Sequence, residues 1–243
     1  MLNSAAPCTA DYAEQMRANG FAVFHDVISA EMVAKLVDVL AGASAADSVR
    51  RRGGDSFGIR NLLNTVPAVR ELAESDLIRS IVEPIIGLKA KVVRGIFFDK
   101  TPQANWKVTW HQDLTIAVRQ EKHAPGFDGW SRKARVPHVR PPDAILEQIL
   151  TLRVHLDDSD ESNGALRIIP GSHQYGRLDA ERIAKLVLES SPRVCEVRRG
   201  GVLVMRPLLL HASSAAQTPA HRRVVHLEFS AAELPGGLEW HGS

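Results

Sequence analysis

Apolar positions along the chain change their period once, near residue 90. Before that point the spacing is helical: Val33, Leu36, Val37 and Leu40 fall at i, i+3, i+4 and i+7, one stripe along a helix that Ser29 is placed to cap. A helix over 11–19, opened by Thr9 as N-cap and closed by Gly20, and a strand at Phe21-Ala22-Val23-Phe24 precede it. Helices over 68–74 and 76–86, the second ended by Gly87, follow. From residue 91 the period becomes two, as in Leu152, Val154 and Leu156 against Arg153, His155 and Asp157. Strands are expected at 91–99, 106–111, 150–156, 165–169, 194–197, 202–205 and 224–229, and a further helix over 179–190. Asn163-Gly164, Pro170-Gly171 and Gly200-Gly201 mark turns.

Two stretches carry no sustained period. Residues 44–60 are polar, with Arg50, Arg51 and Arg52 beside Gly53 and Gly54, which reads as a solvated loop or, as the rarer option, a flexible gate meeting an anion. Residues 114–149 hold Gly126, Gly129, Pro137, Pro141 and Pro142 and read as a long loop over a strand end. Helices first and strands later argue for a mainly β fold with supporting helices, a double-stranded β-helix (jelly roll, cupin-like), rather than alternating βαβ units. One domain over 1–243 is expected, with helical support about 1–90, a β-core about 91–230 and a lid-like insertion about 114–149.

Composition narrows the function. Among 243 residues, 44% are hydrophobic and 24% charged, ordinary for a globular chain with a sizeable core. A net charge of +2 and a pI near 8.6 are too mild to argue for nucleic acid or an anionic membrane. No apolar run approaches the roughly 18 residues of a membrane helix. With no signal-peptide pattern, Cys8 and Cys195 are expected to be reduced thiols of a cytoplasmic protein, and a monomer suffices.

The candidate chemistry lies in Trp110-His111-Gln112-Asp113. On an extended segment His111 and Asp113 leave the same face, and with one more histidine they make the 2-His-1-carboxylate set that holds Fe(II) while leaving positions open. The pattern is not unique, since His155/Asp157 and His226/Glu228 repeat it. Those two sit inside alternating strands, whereas His111/Asp113 stands where a strand meets the long segment, as an open site under a lid requires. That context leaves His111/Asp113 level with the other two pairs together. A third ligand could be His211, which closes the apolar run Pro207-Leu208-Leu209-Leu210, or His173 after Pro170-Gly171. Either histidine could equally be an ordinary structural residue. Trp106 and Trp110 are expected in the core.

Trp110-His111-Gln112-Asp113, then Asn163-Gly164-Ala165-Leu166 running to Pro170-Gly171-Ser172-His173, then His211 with Ser213 and Arg222, resembles the phytanoyl-CoA dioxygenase family of Fe(II)/2-oxoglutarate oxygenases. The strand at Gly20-Phe21-Ala22-Val23 matches as well, so the resemblance spans nearly the whole chain. It implies iron held by His111, Asp113 and His211, with Arg222 and the Ser213 hydroxyl on the far carboxylate of 2-oxoglutarate. An arginine fork suits that task because it presents paired donors and keeps its charge. The implied reaction takes O2, turns 2-oxoglutarate into succinate and CO2, and hydroxylates a small-molecule substrate. Related halogenases replace the carboxylate by a small residue, so Asp113 points to hydroxylation.

Arg153 departs from the family, many of whose members carry an aromatic residue there; it could meet a second anion or pair with Asp157. Between 114 and 150, Arg119, Lys122, Arg132, Lys133, Arg135 and Arg140 outnumber Glu121, Asp128, Asp143 and Glu147, compatible with an anionic substrate without selecting one. Two other classes remain open: a metalloprotein using the same triad for hydrolase or isomerase chemistry, and a ligand-binding barrel without catalysis.

Overall fold

The computed structural model describes residues 9–43, 49–52 and 55–242. The N-terminal part runs α1 (Thr9–Asn19), β1 (Phe21–Phe24), α2 (Ala30–Gly42), β2 (Val49–Arg52), β3 (Asp55–Ile59), α3 (Leu62–Thr65), α4 (Pro67–Glu74) and α5 (Asp76–Ile86). Then come β4 (Lys91–Lys100), β5 (Val108–His111), β6 (Ile116–Ala117), β7 (Asp128–Lys133), β8 (Val136–Arg140), α6 (Asp143–Leu146) and β9 (Ile149–His155). The chain ends with β10 (Leu166–Ile168), a 3-10 turn at Ser172–Tyr175, α7 (Ala180–Glu189), β11 (Arg193–Cys195), β12 (Val202–Met205), β13 (His211–Ser213) and β14 (Arg222–Ser230). Helix starts follow the expected chemistry. Ser29 Oγ accepts from Met32 N at 3.2 Å and Ser75 Oγ from Ile78 N at 3.4 Å, each satisfying a first-turn amide.

Two antiparallel sheets face each other as a jelly roll. The larger has seven strands in the order β1-β12-β9-β14-β4-β3-β2, the smaller four in the order β11-β10-β13-β5. The alternation of β9 and β14 explains how they close. Leu150, Leu152 and Val154 with Val225, Leu227 and Phe229 join Val33, Leu36, Leu40, Val69 and Ile78 in one buried cluster, so the outer face of the large sheet lies on the helices. Complete burial of side chains of this size stabilises by roughly 1.5–3 kcal/mol apiece. The opposite parity, Arg153 and His155 on β9 and Arg222, His226 and Glu228 on β14, consequently points to the interior between the sheets.

Three expectations need correction. Residues 44–60 are not all loop, because β2 and β3 pair antiparallel and extend the large sheet past β4. The side chains of Arg50, Arg51 and Arg52, the Thr9 hydroxyl and Cys8 lie outside the described residues. Residues 114–149 carry a separate sheet of three strands, β6-β8-β7, with Ile116, Phe127, Val139 and Leu146 in a second core shared with Leu238 and Trp240. Its register shifts between Asp128 and Ser131, so its alternation is broken and invisible as a period of two. Trp106 and Trp110 are half-buried rather than core: Lys100 lies 5.8 Å from the Trp106 ring and Arg167 5.5 Å from that of Trp110.

Candidate active site

The segment after β5 continues extended, with Asp113 N donating to Pro207 O at 2.9 Å, so His111 and Asp113 turn to the same side. β13 lies beside β5 with His211 directly opposite His111, and the two rings are 4.2 Å apart. One ligand-capable atom from each of His111, Asp113 and His211 lies within 4.8 Å of the others. His111 Nε2 is 3.8 Å from Asp113 Oδ1, and His211 Nε2 is 3.7 Å from Asp113 Oδ2. These gaps are too long for hydrogen bonds. They are slightly wider than the roughly 3 Å between neighbouring ligands of one metal about 2.1 Å away, a difference that side-chain rotation covers.

The backbone sets the imidazole tautomers. His111 Nδ1 donates to Thr109 O at 2.9 Å and His211 Nδ1 to Leu209 O at 2.8 Å, each a carbonyl two residues upstream that can only accept. Both Nε2 lone pairs are thereby left for a cation, the ligand-orienting arrangement common at metal sites. Burial, supplemented by His111 and Arg153 and opposed by Asp113, holds the His211 pKa down at about 4, so this ring is neutral at physiological pH. Burial works to raise Asp113, but the surrounding His211, His226, His111 and Arg94 outweigh it and bring the carboxyl to about 2. A neutral imidazole beside an ionised carboxylate is the protonation state a divalent metal needs.

Gln112, between His111 and Asp113, faces the other way and is fully satisfied. Its Nε2 donates to Gly176 O at 2.8 Å and Leu208 O at 2.7 Å, and its Oε1 accepts from Leu178 N at 2.8 Å. It ties β5 to the turn after Tyr175 and to the approach to β13, and so fixes both neighbours.

Deeper in the barrel lies a cationic pocket. Arg222 is directly across from Lys100, and His226 from Arg153. Lys100 Nζ donates to Ser213 Oγ at 2.8 Å and to Ser214 O, and Arg222 Nη1 reaches Ser159 Oγ at 3.5 Å. Among the described residues none of Lys100, Arg153 and Arg222 pairs with a carboxylate, and the Nε atoms of both arginines are buried without a partner. Burial, then Arg222 and Arg153, lowers Lys100 to about 7; burial and Arg153 lower Arg222 to about 9. His155, with both ring nitrogens unpartnered, is held well below its ordinary value by burial and by the same two arginines. A buried concentration of positive charge with orphaned donors fits a bound dianion.

The residues singled out from sequence separate clearly. His111, Asp113 and His211 come together, and Ser213 accepts from Lys100, the residue that Arg222 faces across β4 and β14. His173 does not join them; it packs against Gly20, where an added Cβ would lie 2.4 Å from its Nδ1. It lines a 440 Å³ cleft with Met16, Arg17 and Arg206 that shares no residue with the triad. Asp157 is taken bidentately by Arg223 at 2.7 and 2.8 Å, which excludes the Arg153–Asp157 pair. Arg153 instead donates to His226 Nδ1 at 3.2 Å, and His226 Nε2 donates to Glu228 Oε1 at 3.2 Å. The sequence does not single out Lys100, because a charged residue closing a strand ordinarily reads as solvated. The parity of β4 against β14 was the signal available for Lys100.

This geometry, two sheets closing on a His-Asp-His cluster backed by a cationic pocket, defines a jelly-roll protein equipped for a metal and an acidic cosubstrate. The family model for phytanoyl-CoA dioxygenase (PhyH) matches residues 16–224, and the chain belongs to that family of Fe(II)/2-oxoglutarate-dependent dioxygenases. The chain is 22% identical over 268 aligned positions to the ectoine dioxygenase of Sphingopyxis alaskensis, covering 96% of this chain and 81% of that protein. The crystal structure of EctD from S. alaskensis with 2-oxoglutarate and 5-hydroxyectoine superposes with a TM-score of 0.72 at 20% identity, over 95% of this chain and 78% of that one. The epimerase SnoN in complex with Fe3+, alpha ketoglutarate and nogalamycin RO gives 0.70 at 16% identity, over 94% and 91%. Among the described residues no helix is long and apolar enough to cross a membrane.

Proposed function

We propose that His111, Asp113 and His211 hold Fe(II), that Arg222 with Ser213 and Lys100 holds the far carboxylate of 2-oxoglutarate, and that the chain hydroxylates a small organic substrate. The observation that carries this is the pair of imidazoles whose Nδ1 atoms are tied to backbone carbonyls while both Nε2 atoms face Asp113. When bound, iron and 2-oxoglutarate supply the oxidising chemistry, with O2 consumed, succinate and CO2 released and one oxygen atom delivered to the substrate. The protein's own groups bind and orient. Arg222 offers a fixed fork to one end of the cosubstrate, Lys100 adds a point charge steadied by Ser213, and Arg153 enlarges the positive field that draws a dianion in. Asp113, a carboxylate where related halogenases have a small residue, supports hydroxylation over halogenation. The small sheet of 114–149 acts as a lid-like insertion of a single domain that works as a monomer in the cytoplasm, a setting in keeping with the buried free thiol of Cys195.

The test is succinate formation with Fe(II), 2-oxoglutarate and O2 over a panel of carboxylates, acyl thioesters and amino acids. The wild-type chain is expected to make succinate and His111→Ala to lose at least about 100-fold of it, since second-sphere changes alone cost 10–100-fold at metal sites. Full turnover by His111→Ala would remove the triad from the reaction.

A further inference from the structure

On the flank of the triad away from Arg222, two cations converge on one residue. Arg94 Nη1 donates to Thr115 O at 3.3 Å and Lys133 Nζ to Thr115 Oγ1 at 3.3 Å. Thr115 is two residues beyond Asp113, so its Cα lies within roughly 7 Å of that ligand's. Arg94 is already matched by Glu228, at 2.9 Å and with side chains only 14% and 6% exposed. Lys133 is half-buried and pairs with no carboxylate among the described residues. The nearby His138 adds no positive charge at neutral pH: burial and Arg94 press its pKa down to about 4.

The lysine is placed by a backbone that resists its own sequence. Lys133 pairs with Val136 across a two-residue turn, Ala134 and Arg135, with φ of 49° and 64°. That turn form favours Asn and Gly, and left-handed φ at other residues costs about 1–2 kcal/mol each. Asn61, itself at φ 59°, donates to Ala134 O at 3.5 Å and pins the tip. Strain of this kind persists where surroundings over-determine a position, commonly beside a functional site.

We propose that Lys133, with Arg94 and Thr115 beside it, seats a carboxylate of the substrate to be oxidised next to Asp113. The proposal rests on the triad assignment above, because charge counting then decides the ligand class. Asp113 and the keto-acid end of the cosubstrate together balance the metal, and Glu228 balances Arg94. Of Arg94 and Lys133, the two cations that meet at Thr115, Lys133 alone is left without a carboxylate, which suits a carboxylate ligand. Burial, Arg94 and Arg60 weaken the lysine's hold on its proton while Asp113 and Glu228 strengthen it, so an incoming carboxylate replaces the charge partner that the metal takes away.

The protein loaded anaerobically with Fe(II) and 2-oxoglutarate is titrated with monocarboxylic acids, acetate to decanoate and benzoate to 4-phenylbutanoate, each beside its primary amide. Binding is read from the visible charge-transfer band and, separately, from the melting temperature. At least one acid is expected to bind about tenfold or more tighter than its amide, a preference that Lys133→Met removes and Lys133→Arg keeps. No acid preferred over its amide, or an unchanged preference in Lys133→Met, overturns the proposal; a lower melting temperature in Lys133→Met with the preference intact assigns the lysine to tethering alone. Absence of the charge-transfer band in the wild-type chain counts against the iron site instead, while the melting shifts still score the acid preference.

Discussion

At the scale of single residues, Lys100 links the folded structure to pH. Its pKa falls from 10.5 to about 7 on folding, chiefly through burial and then through Arg222 and Arg153. Between those values the unfolded chain holds a proton that the folded chain does not, so this group makes the ligand-free protein more stable as pH rises from about 7 toward 10.5. A dicarboxylate beside Lys100 favours its charged form, which reverses the sense for binding. Affinity for 2-oxoglutarate is expected to weaken above pH 7, with a slope approaching tenfold per unit, and binding near pH 8 to take up close to one proton. Calorimetry in buffers of different ionisation enthalpy measures that uptake; a pH-independent affinity with no proton uptake would place the cosubstrate elsewhere. Gly164 belongs to the same corner. It sits at φ 77°, and a Cβ there would lie 2.4 Å from Ser214 O and 2.8 Å from Lys100 Nζ, so only glycine lets this turn close over the lysine.

At the scale of elements, the site depends on strands too short to announce themselves. β13 is three residues long and carries the distal histidine because β10 and β5 flank it on either side. The link that aligns it with β5 is Gln112. Gln112→Leu keeps the side chain's bulk but strips two carbonyls and one amide of their partner, at about 1–3 kcal/mol for each group left unsatisfied. The expected result is a melting temperature lower by several degrees together with weakened metal binding, since His111 and Asp113 lose a shared anchor. Equilibrium titration with Mn(II) separates the two effects: unaltered metal affinity would mean that the β5 backbone holds its position unaided.

At the scale of the whole molecule, a metal and cosubstrate held as proposed bind groups that folding alone brings together, so they act as ligands of the native state. At about 100 times its dissociation constant, one ligand adds about 2.7 kcal/mol, roughly 5–10 °C for a domain of this size. Melting the protein with Mn(II), with 2-oxoglutarate and with both checks this. The rise with both should exceed the sum of the two separate rises, because the keto acid gains its second anchor only once the metal is in place.

Much was legible in one dimension. The helical stripe of α2, the alternation of β9 and β14 and the turns at Asn163-Gly164 and Pro170-Gly171 follow from local side-chain chemistry, which repeats with the backbone's own period. The same period separates the adjacent arginines at 222 and 223: Arg222 is buried, and Arg223 lies outside on Asp157. The motif residues His111, Asp113 and His211 stood out through resemblance, whereas spacing alone left three equivalent His-x-acid pairs. Tertiary structure alone distinguished their surroundings. His226 and Glu228 are locked to Arg153 and Arg94, His155 faces two arginines, and His111 with Asp113 meets a second imidazole across β13. Such differences are invisible along the chain because Coulomb forces and burial depend on distances through space, and closure of the barrel brings positions 100 residues apart, such as 111 and 211, within a ring's width of each other.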